Sequence, residues 1–224
     1  MQYLSRRLTM ESQRPRKDSS DSVVIAARQR ERLLDATERL AAELGFSATS
    51  IERISKEARV STVSFYEHFA DKEECFLAAF DRAVEDARAR LAAAVPTAAP
   101  WPDQIREGLR ALLALVAEHP NRARMCLVEA PVDGAALRAR YEAMLDVAAP
   151  KLREGRALDP GAGALAESLE EATIGGLAFL LQQRLRAGAG DGVEEMLPQL
   201  LDIALSPYLG PREALGYAGA ARGV

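Results

Sequence analysis

Apolar residues recur every three or four positions along almost the whole chain, which is the spacing of one face of an α-helix. Leu33, Leu40 and Leu44 follow this spacing, and Gly45 ends the first run. No stretch has the convincing apolar and polar alternation of a β-strand. The pattern predicts an all-α protein, with helices over residues 23–44, 50–58, 62–69, 72–94, 102–118, 121–128, 133–152, 162–186 and 191–205.

The most informative segment is residues 49–80, where two short helices joined by three residues precede a long helix. Thr49 is predicted to cap the first short helix and Ser61 the second, because their hydroxyl oxygens can accept a bond from a backbone N–H of the first turn. Phe65 and Phe69, four residues apart, share the core face of the second helix. This arrangement is typical of a helix-turn-helix, whose second helix enters the major groove of DNA.

The pattern Ser-x-x-x-Phe-Tyr-x-His-Phe at residues 61–69, together with Ile51, Ile54 and a following Lys72 and Glu73, resembles the DNA-binding domain of the tetracycline-repressor (TetR) family. The resemblance covers roughly residues 24–80. It implies a three-helix helix-turn-helix DNA-binding domain, a C-terminal helical ligand-binding and dimerisation domain, and a homodimer on a palindromic site. The residues expected to contact DNA are Thr49, Ser61, Thr62, Val63, Ser64, Tyr66, His68 and Lys72.

Two residues depart from the pattern of that family. Arg59 stands in the turn where the family usually has Gly, so we predict a left-handed backbone at a residue with a side chain, at a cost of about 1–2 kcal/mol. Val63 stands where the family often has Gly, and its branched side chain is suited to a thymine methyl group. The operator sequence therefore cannot be copied from relatives.

The chain divides into four predicted parts. Residues 1–21 form a polar, disordered arm with several arginines, which either contacts DNA or is a solvated tail. Residues 22–70 form the DNA-binding domain, residues 71–210 the effector-binding and dimerisation domain, and residues 211–224 a flexible tail. Asp71 is predicted to cap the long helix that joins the two domains.

The last two long helices carry more apolar residues than the surface of a monomer usually presents. Gly175 and Gly176 lie inside the first of them, where small residues permit close approach of another backbone. We predict a homodimer interface, in line with the family resemblance, and a monomer with both apolar faces internal is the alternative. The predicted interface residues are Ile174, Ala178, Leu181, Leu185, Leu197 and Leu201.

Composition and charge narrow the classes of function. Residues 1–72 hold 13 Lys and Arg against 11 Asp and Glu, whereas residues 73–224 hold 16 against 22, so the positive charge lies beside the helix-turn-helix. No run approaches the 18 apolar residues of a membrane span and no secretory signal is present, which predicts a cytoplasmic protein. Cys75 and Cys126 are expected to be small buried residues.

No nucleotide-binding, zinc-protease or serine-hydrolase motif occurs, so we predict no enzyme, no cofactor and no metal. The partners are expected to be double-stranded DNA, a second copy of the chain and a small-molecule effector of unknown identity. Core packing is the default for aromatic and Met residues, but a ligand pocket is weakly predicted. Its residues are Phe80, Trp101, Met125, Tyr141, Met144 and Phe179.

The leading hypothesis is a ligand-responsive transcriptional repressor that binds a palindromic operator as a homodimer and is released by a small molecule. One alternative is an activator or a ligand-independent DNA-binding regulator. Another is a helical small-molecule carrier with a vestigial DNA-binding domain, which Arg59 and Val63 make conceivable.

Overall fold

The computed structural model describes residues 19–132, 134–158, 165–188 and 192–220, and within these ranges the chain is helical with no strand. This confirms the predicted all-α class. Within the same ranges, three short segments have other helical geometry: a π-helix at Met125–Glu129 and 3-10 turns at Glu154–Ala157 and Val193–Met196. The α-helices are α1 Ser19–Leu44, α2 Ile51–Ala58, α3 Thr62–Tyr66, α4 Lys72–Ala94, α5 Trp101–Glu118, α6 Pro120–Arg124, α7 Ala135–Asp146, α8 Ala149–Arg153, α9 Leu169–Arg186, α10 Leu197–Leu209 and α11 Pro211–Ala220.

The N-terminal helices α1 to α4 share one apolar core. Leu33 on α1, Ile54 on α2 and Phe65 on α3 are fully buried, and Phe76 and Phe80 of α4 pack against them. The same core continues into the π-helix and α7. Helices α1 to α3 are therefore joined to the rest of the protein by shared packing as well as by the chain itself.

Helix α4 begins where the sequence predicted. The Asp71 side chain accepts a hydrogen bond from the Glu74 backbone N–H at 2.8 Å, which confirms the predicted N-cap. The helix starts in the N-terminal core and packs against α5 and α7 further along. It thus links the N-terminal helices mechanically to the second half of the molecule.

Two further apolar clusters form the C-terminal half. One surrounds Trp101, Leu205 and Tyr208 and the other surrounds Leu113 and Leu181. Helices α5, α9 and α10 contribute to both clusters, so they form the centre of this half. Cys75 and Cys126 are buried as predicted, and burial raises the pKa of both thiols.

Several predicted helix bounds differ from the structure. Helix α1 begins at Ser19 rather than at residue 23, with Asp21 in its first turn, where a negative charge is favourable. Residues 1–18 of the predicted arm lie outside the described residues. The helix predicted over 133–152 is interrupted after Asp146, and α8 begins again with Pro150 in its first turn, the position where proline is tolerated.

The predicted flexible tail is wrong for residues 211–220, which form α11. Ala214 and Ala218, one turn apart, are buried against neighbouring residues, and α11 packs along α10. Burial of this small apolar face supplies the stabilisation that the local sequence lacks. Residues 221–224 lie outside the described residues.

No helix in the described ranges is long and apolar enough to cross a membrane. Nor do the described residues contain a group of His, Cys, Asp and Glu side chains placed to hold a metal ion.

Candidate nucleic-acid interface

Helix α2 is capped by Ser50, not by Thr49 as predicted. The Ser50 hydroxyl oxygen accepts a hydrogen bond from the Arg53 backbone N–H. Thr49 is only 2% exposed and donates its hydroxyl hydrogen to the Gly45 carbonyl oxygen at 2.8 Å. Thr49 therefore stabilises the preceding turn from a buried position, and its side chain is not exposed for the predicted phosphate contact. The sequence alone could not separate two adjacent hydroxyl residues, either of which can cap a helix.

Helix α3 presents the side chains that the sequence predicted. Ser61 caps it by accepting the Ser64 backbone N–H at 2.9 Å, and the two hydroxyl groups lie 3.1 Å apart. Thr62 is exposed, and Val63 and Tyr66 are 71% and 59% exposed. Val63 and Tyr66 are three residues apart, so they share one exposed face of α3.

The inward face of α3 fixes its position. Phe65 and Phe69 are buried with ring centroids 5.7 Å apart, although the helix ends at Tyr66 rather than at residue 69. His68 is partly buried, and its Nε2 lies 3.4 Å from the Gln29 Oε1 atom of α1. The predicted contact residues Thr62, Val63, Ser64 and Tyr66 thus come together on a short helix that is anchored from behind.

The turn between α2 and α3 confirms the prediction for Arg59. Its φ of 54° and ψ of 46° are left-handed, and among the described residues it is the one residue other than glycine with a positive φ. The Arg59 backbone N–H bonds to the Lys56 carbonyl, and the Val60 N–H bonds to the Ser55 carbonyl at 2.9 Å. These bonds close the helix in the manner usually reserved for glycine, at a cost of about 1–2 kcal/mol.

Lys72 does not present a free ammonium group to DNA. Its Nζ donates to the carbonyl oxygens of Phe46, Ser47 and Thr49 at 3.1, 3.5 and 3.1 Å, and it lies 4.4 Å from the centroid of the Phe46 ring. An ammonium group has three hydrogens, so these carbonyls use all of them. The predicted phosphate contact of the Lys72 side chain is not supported. Instead, this side chain stabilises the turn before α2.

Lys72→Met should therefore lower stability rather than remove a salt-dependent DNA contact. We expect a loss of about 1–2 kcal/mol in the free energy of unfolding, because hydrogen bonds from a charged donor disappear while the apolar stem is kept. Urea unfolding measures this loss, and Lys56→Met on the exposed face of α2 is the matched control. If Lys72→Met leaves the stability unchanged but reduces the salt dependence of DNA binding, Lys72 contacts a phosphate after all.

A chain of ion pairs joins α1, α4 and α6. Arg82 of α4 contacts Glu31, Asp35 and Glu38 of α1 at 2.6, 2.8 and 2.5 Å. Glu38 also accepts from Arg122 of α6 at 3.1 Å. Because Glu38 is largely buried, it holds both arginines in a fixed arrangement between α1, α4 and α6.

Arg124 extends this connection to α9. Its Nε donates to the Ala42 carbonyl near the end of α1 at 2.8 Å, and its guanidinium NH1 donates to the Leu185 carbonyl near the end of α9 at 3.0 Å. The C-terminal turns of α1 and α9 are thus held by one side chain. A shift of α9 relative to α6 would therefore also displace α1, the helix against which α2 packs.

The predicted ligand pocket is not formed as a single cavity. Phe80 and Met125 are buried in the N-terminal core, Trp101 packs on Tyr208 in a separate cluster, and Phe179 is 52% exposed. Tyr141 and Met144 of α7 do lie together, partly buried between the N-terminal core and the cluster around Leu113. The types of residue alone could not distinguish core positions from cavity walls.

Two open clefts occur elsewhere on the surface. One, of about 240 Å³, lies between α1 and the start of α6 and is lined by charged residues and His119. The other, of about 410 Å³, lies beside Arg106 and Tyr217. Neither includes any residue of the predicted pocket.

The predicted dimer residues are packed inside the protomer, which corrects that assignment. All six are buried, and all except Ala178 belong to the two C-terminal clusters: Ile174, Ala178, Leu181, Leu185, Leu197 and Leu201. The outward face of α9 is a different stripe, which includes Ala172, Gly175, Phe179 and Gln183. The sequence identified an excess of apolar residues on this helix but assigned the inner face to the partner.

Part of the sequence matches a known family, and the fold is similar to that of several solved structures. Residues 33–79 match the family described as bacterial regulatory proteins, tetR family. The chain is similar to the fatty acid degradation regulator FadR from Bacillus halodurans, with 15% identity, a TM-score of 0.68, and coverage of 82% of this chain and 96% of that chain.

Two further solved structures have the same fold. A TetR family transcription regulator from Marinobacter aquaeolei VT8 has 22% identity and a TM-score of 0.64 over 83% of this chain and 97% of that chain. The transcriptional regulator FadR from Bacillus subtilis, in complex with stearoyl-CoA, has 17% identity and a TM-score of 0.63 over 80% of this chain and 98% of that chain. At these identities the similarity establishes the fold.

Proposed function

We propose that this chain, whose residues 33–79 match the family described as bacterial regulatory proteins, tetR family, is a ligand-responsive transcriptional repressor. It binds a palindromic operator as a homodimer and leaves it when a small molecule binds the C-terminal half. The observation that carries this proposal is the exposed outer face of α3, with Val63 and Tyr66, held by a fully buried Phe65.

The role of each α3 residue follows from its position. Thr62, Val63 and Ser64 at the N-terminal end of the helix contact base edges, because that end of a recognition helix enters the major groove. Tyr66, one turn further, contacts a phosphate through its hydroxyl group, and His68 lies behind it against α1. Phosphate contacts fix the register, and the residues at the N-terminal end read the sequence.

A homodimer is supported by the outward face of α9. Phe179 is exposed there, and a Cβ atom added at Gly175 or Gly176 would meet nothing within 4 Å. An exposed aromatic ring beside two glycines lets a second helix approach closely. A two-fold dimer through this face would present two copies of α3 to successive major grooves about 34 Å apart.

Release by an effector requires two arrangements of the same dimer. The connection from α9 through Arg124 to α1, and from α6 through Glu38 to α4, supports such coupling. Tyr141 and Met144 lie between two apolar clusters, and Gln182 of α9 donates to the Tyr141 hydroxyl at 2.8 Å. A molecule that separates these clusters would displace α7 from α9.

An acyl-CoA is the first effector to test, because the Bacillus subtilis FadR structure, which has this fold, contains stearoyl-CoA. Stearoyl-CoA should release the operator and, by thermodynamic linkage, operator DNA should weaken stearoyl-CoA binding by the same factor. Titration calorimetry of stearoyl-CoA with and without DNA tests both halves of the statement. Release of DNA without the matched change in acyl-CoA affinity would contradict a two-state mechanism.

The central experiment is selection of binding sites from randomised duplex DNA with the purified protein at two salt concentrations. A palindrome whose half-sites lie about one helical turn apart is the expected result. Placement of the palindrome over a promoter supports a repressor, and placement upstream supports an activator. Weak binding that is lost with salt and indifferent to sequence would instead contradict sequence-specific regulation and favour a carrier of small molecules.

Val63→Ala should change base preference while Tyr66→Phe should not. Loss of an apolar contact with a thymine methyl costs about 1 kcal/mol at one base pair, so the preference there should fall about fivefold. Tyr66→Phe should weaken binding to all duplexes by a similar factor, because the lost hydroxyl contacts the backbone. Selection with both variants measures this, and an equal loss on every duplex for Val63→Ala would remove Val63 from base reading.

A further inference from the structure

We propose that Arg59 is a DNA-phosphate ligand, and that this contact is the reason a strained arginine occupies the turn before the recognition helix. The inference rests on the proposed DNA-binding function and adds a residue to it. It starts from the backbone, because a left-handed residue other than glycine is an outlier that needs a compensating gain. Glycine would adopt the same φ of 54° without that strain.

No contact within the described part of the chain supplies that gain. The Arg59 side chain is exposed and has no hydrogen bond, ion pair or aromatic contact there. Three arginines of α1 and α2, in contrast, have partners: Arg39 pairs with Glu57 at 3.0 Å, Arg53 donates to the Ala48 carbonyl, and Arg30 lies over the Phe69 ring. The guanidinium of Arg59 therefore has its full hydrogen-bonding capacity available for a partner.

The position of Arg59 indicates what that partner is. It precedes the α3 cap Ser61 by two residues and Thr62, the first base-reading residue, by three. Groups that flank a recognition helix meet the sugar-phosphate backbone that borders the groove. Glu57, the nearest acidic residue in the sequence, is already paired with Arg39, so it does not neutralise Arg59.

Phosphate suits this side chain better than a base edge does. A guanidinium group can donate two parallel hydrogen bonds to two phosphate oxygens, which fixes its orientation. The left-handed turn fixes the Cα to Cβ direction of Arg59 relative to α3. The strained backbone lowers the stability of the fold, but it holds the positive charge of Arg59 beside the recognition helix.

The test is a substitution that changes stability and DNA affinity in opposite directions. Arg59→Gly should raise the melting temperature of the free protein by about 2–4 °C, because the strain is relieved. It should also weaken binding to the duplex selected by the wild-type protein about tenfold or more. The slope of log K against log salt should become shallower by about 2 per dimer, one phosphate contact in each half-site.

Two further variants make the result specific. Arg59→Lys keeps the charge and the strain, so it should retain the wild-type melting temperature and salt slope. Arg59→Asn tolerates the left-handed backbone but has no charge, so it should reproduce the loss of affinity and slope seen for glycine. All variants are also measured on a duplex of random sequence, because a phosphate contact acts on any sequence.

Unchanged affinity and slope in Arg59→Gly and Arg59→Asn would overturn the inference while leaving the proposed function intact. Failure of the wild-type protein to bind either duplex would overturn both. A loss confined to the selected duplex, with the random duplex unaffected, would also overturn it, since that pattern belongs to a base contact.

Discussion

Phe179→Glu is expected to convert the protein into a monomer that no longer holds a palindromic operator. Phe179 lies on the outward face of α9 and is half exposed, beside glycines whose added Cβ atoms would meet no other group. In a two-fold dimer through this face, the two introduced carboxylates would lie close together away from water. Both desolvation and like-charge repulsion oppose that arrangement.

The expected consequences can be measured separately. Light scattering coupled to size-exclusion chromatography should report about half the wild-type mass. Affinity for the selected palindrome should fall by about 100-fold or more. In a dimer, binding of one half-site raises the effective concentration of the second recognition helix at the other half-site, and a monomer lacks this effect. Binding to a single half-site should be unchanged, since α3 is untouched.

Leu215→Glu is the matched control. Leu215 is also a large exposed apolar residue, but it lies on α11. This variant should remain a dimer with wild-type operator affinity. A dimeric Phe179→Glu protein with wild-type affinity would contradict the assignment of the α9 face.

The features predicted well from sequence are those decided by a few neighbouring residues. Ser61 and Asp71 cap their helices as predicted because each oxygen bonds an N–H three residues away. Arg59 adopts the predicted left-handed conformation because the geometry of a three-residue turn demands it. The Phe65 and Phe69 pair is buried because its spacing places both rings on one side of the chain.

The errors concern contacts between residues distant in the sequence. Lys72 has a charge and a place in the sequence that suit a phosphate contact. The fold, however, brings the carbonyls of residues 46, 47 and 49 to its ammonium group, and the sequence does not show this. Residues 211–220 contain two glycines that disfavour a helix, but packing of Ala214 and Ala218 overrides that local preference. Contacts of this kind depend on which residues of other helices pack against a segment. The periodicity of apolar residues within the segment does not specify those residues.

The proposed dimer face shows the same limit in another form. Helix α9 has apolar residues on two faces, and periodicity identifies both without saying which one meets the rest of the protomer. Ile174 and Leu181 face inward, because α5 and α10 supply the surrounding apolar residues. The outward face of α9 has fewer apolar residues than the inward face. In the sequence, the two glycines followed by Phe179 are the pattern that indicates it.

Glu170→Ala is expected to be strongly destabilising, because Glu170 is a fully buried carboxylate with three hydrogen bonds. It accepts from the Nε and NH2 groups of Arg156 at 2.7 and 2.9 Å and from the Tyr208 hydroxyl at 3.0 Å. These bonds join the start of α9 to α10 and to the 3-10 turn after α8. We expect a loss of about 3 kcal/mol, the lower end for breaking a buried pair, since Arg156 can still reach water.

The effect should depend on pH in a defined direction. Hydrogen bonds from Arg156, the largest cause, lower the pKa of Glu170 to about 2 from its ordinary value of 4.5. A lowered folded-state pKa contributes stability that is complete above the unfolded-state value and is lost as pH falls towards 2. The difference between wild type and Glu170→Ala in urea unfolding should therefore be constant from pH 7 to about 5 and shrink below pH 4.5.

Glu171→Ala provides the control, because Glu171 is the adjacent residue on the same helix but is exposed and lies 3.5 Å from Arg153. An exposed ion pair contributes little, so this variant should stay within about 0.5 kcal/mol of wild type at all pH values. Equal effects of the two substitutions would show that burial of Glu170 is not what matters. If only Glu170→Ala is destabilising, its carboxylate fixes α9 against α10 and so sets the direction in which Phe179 faces a partner.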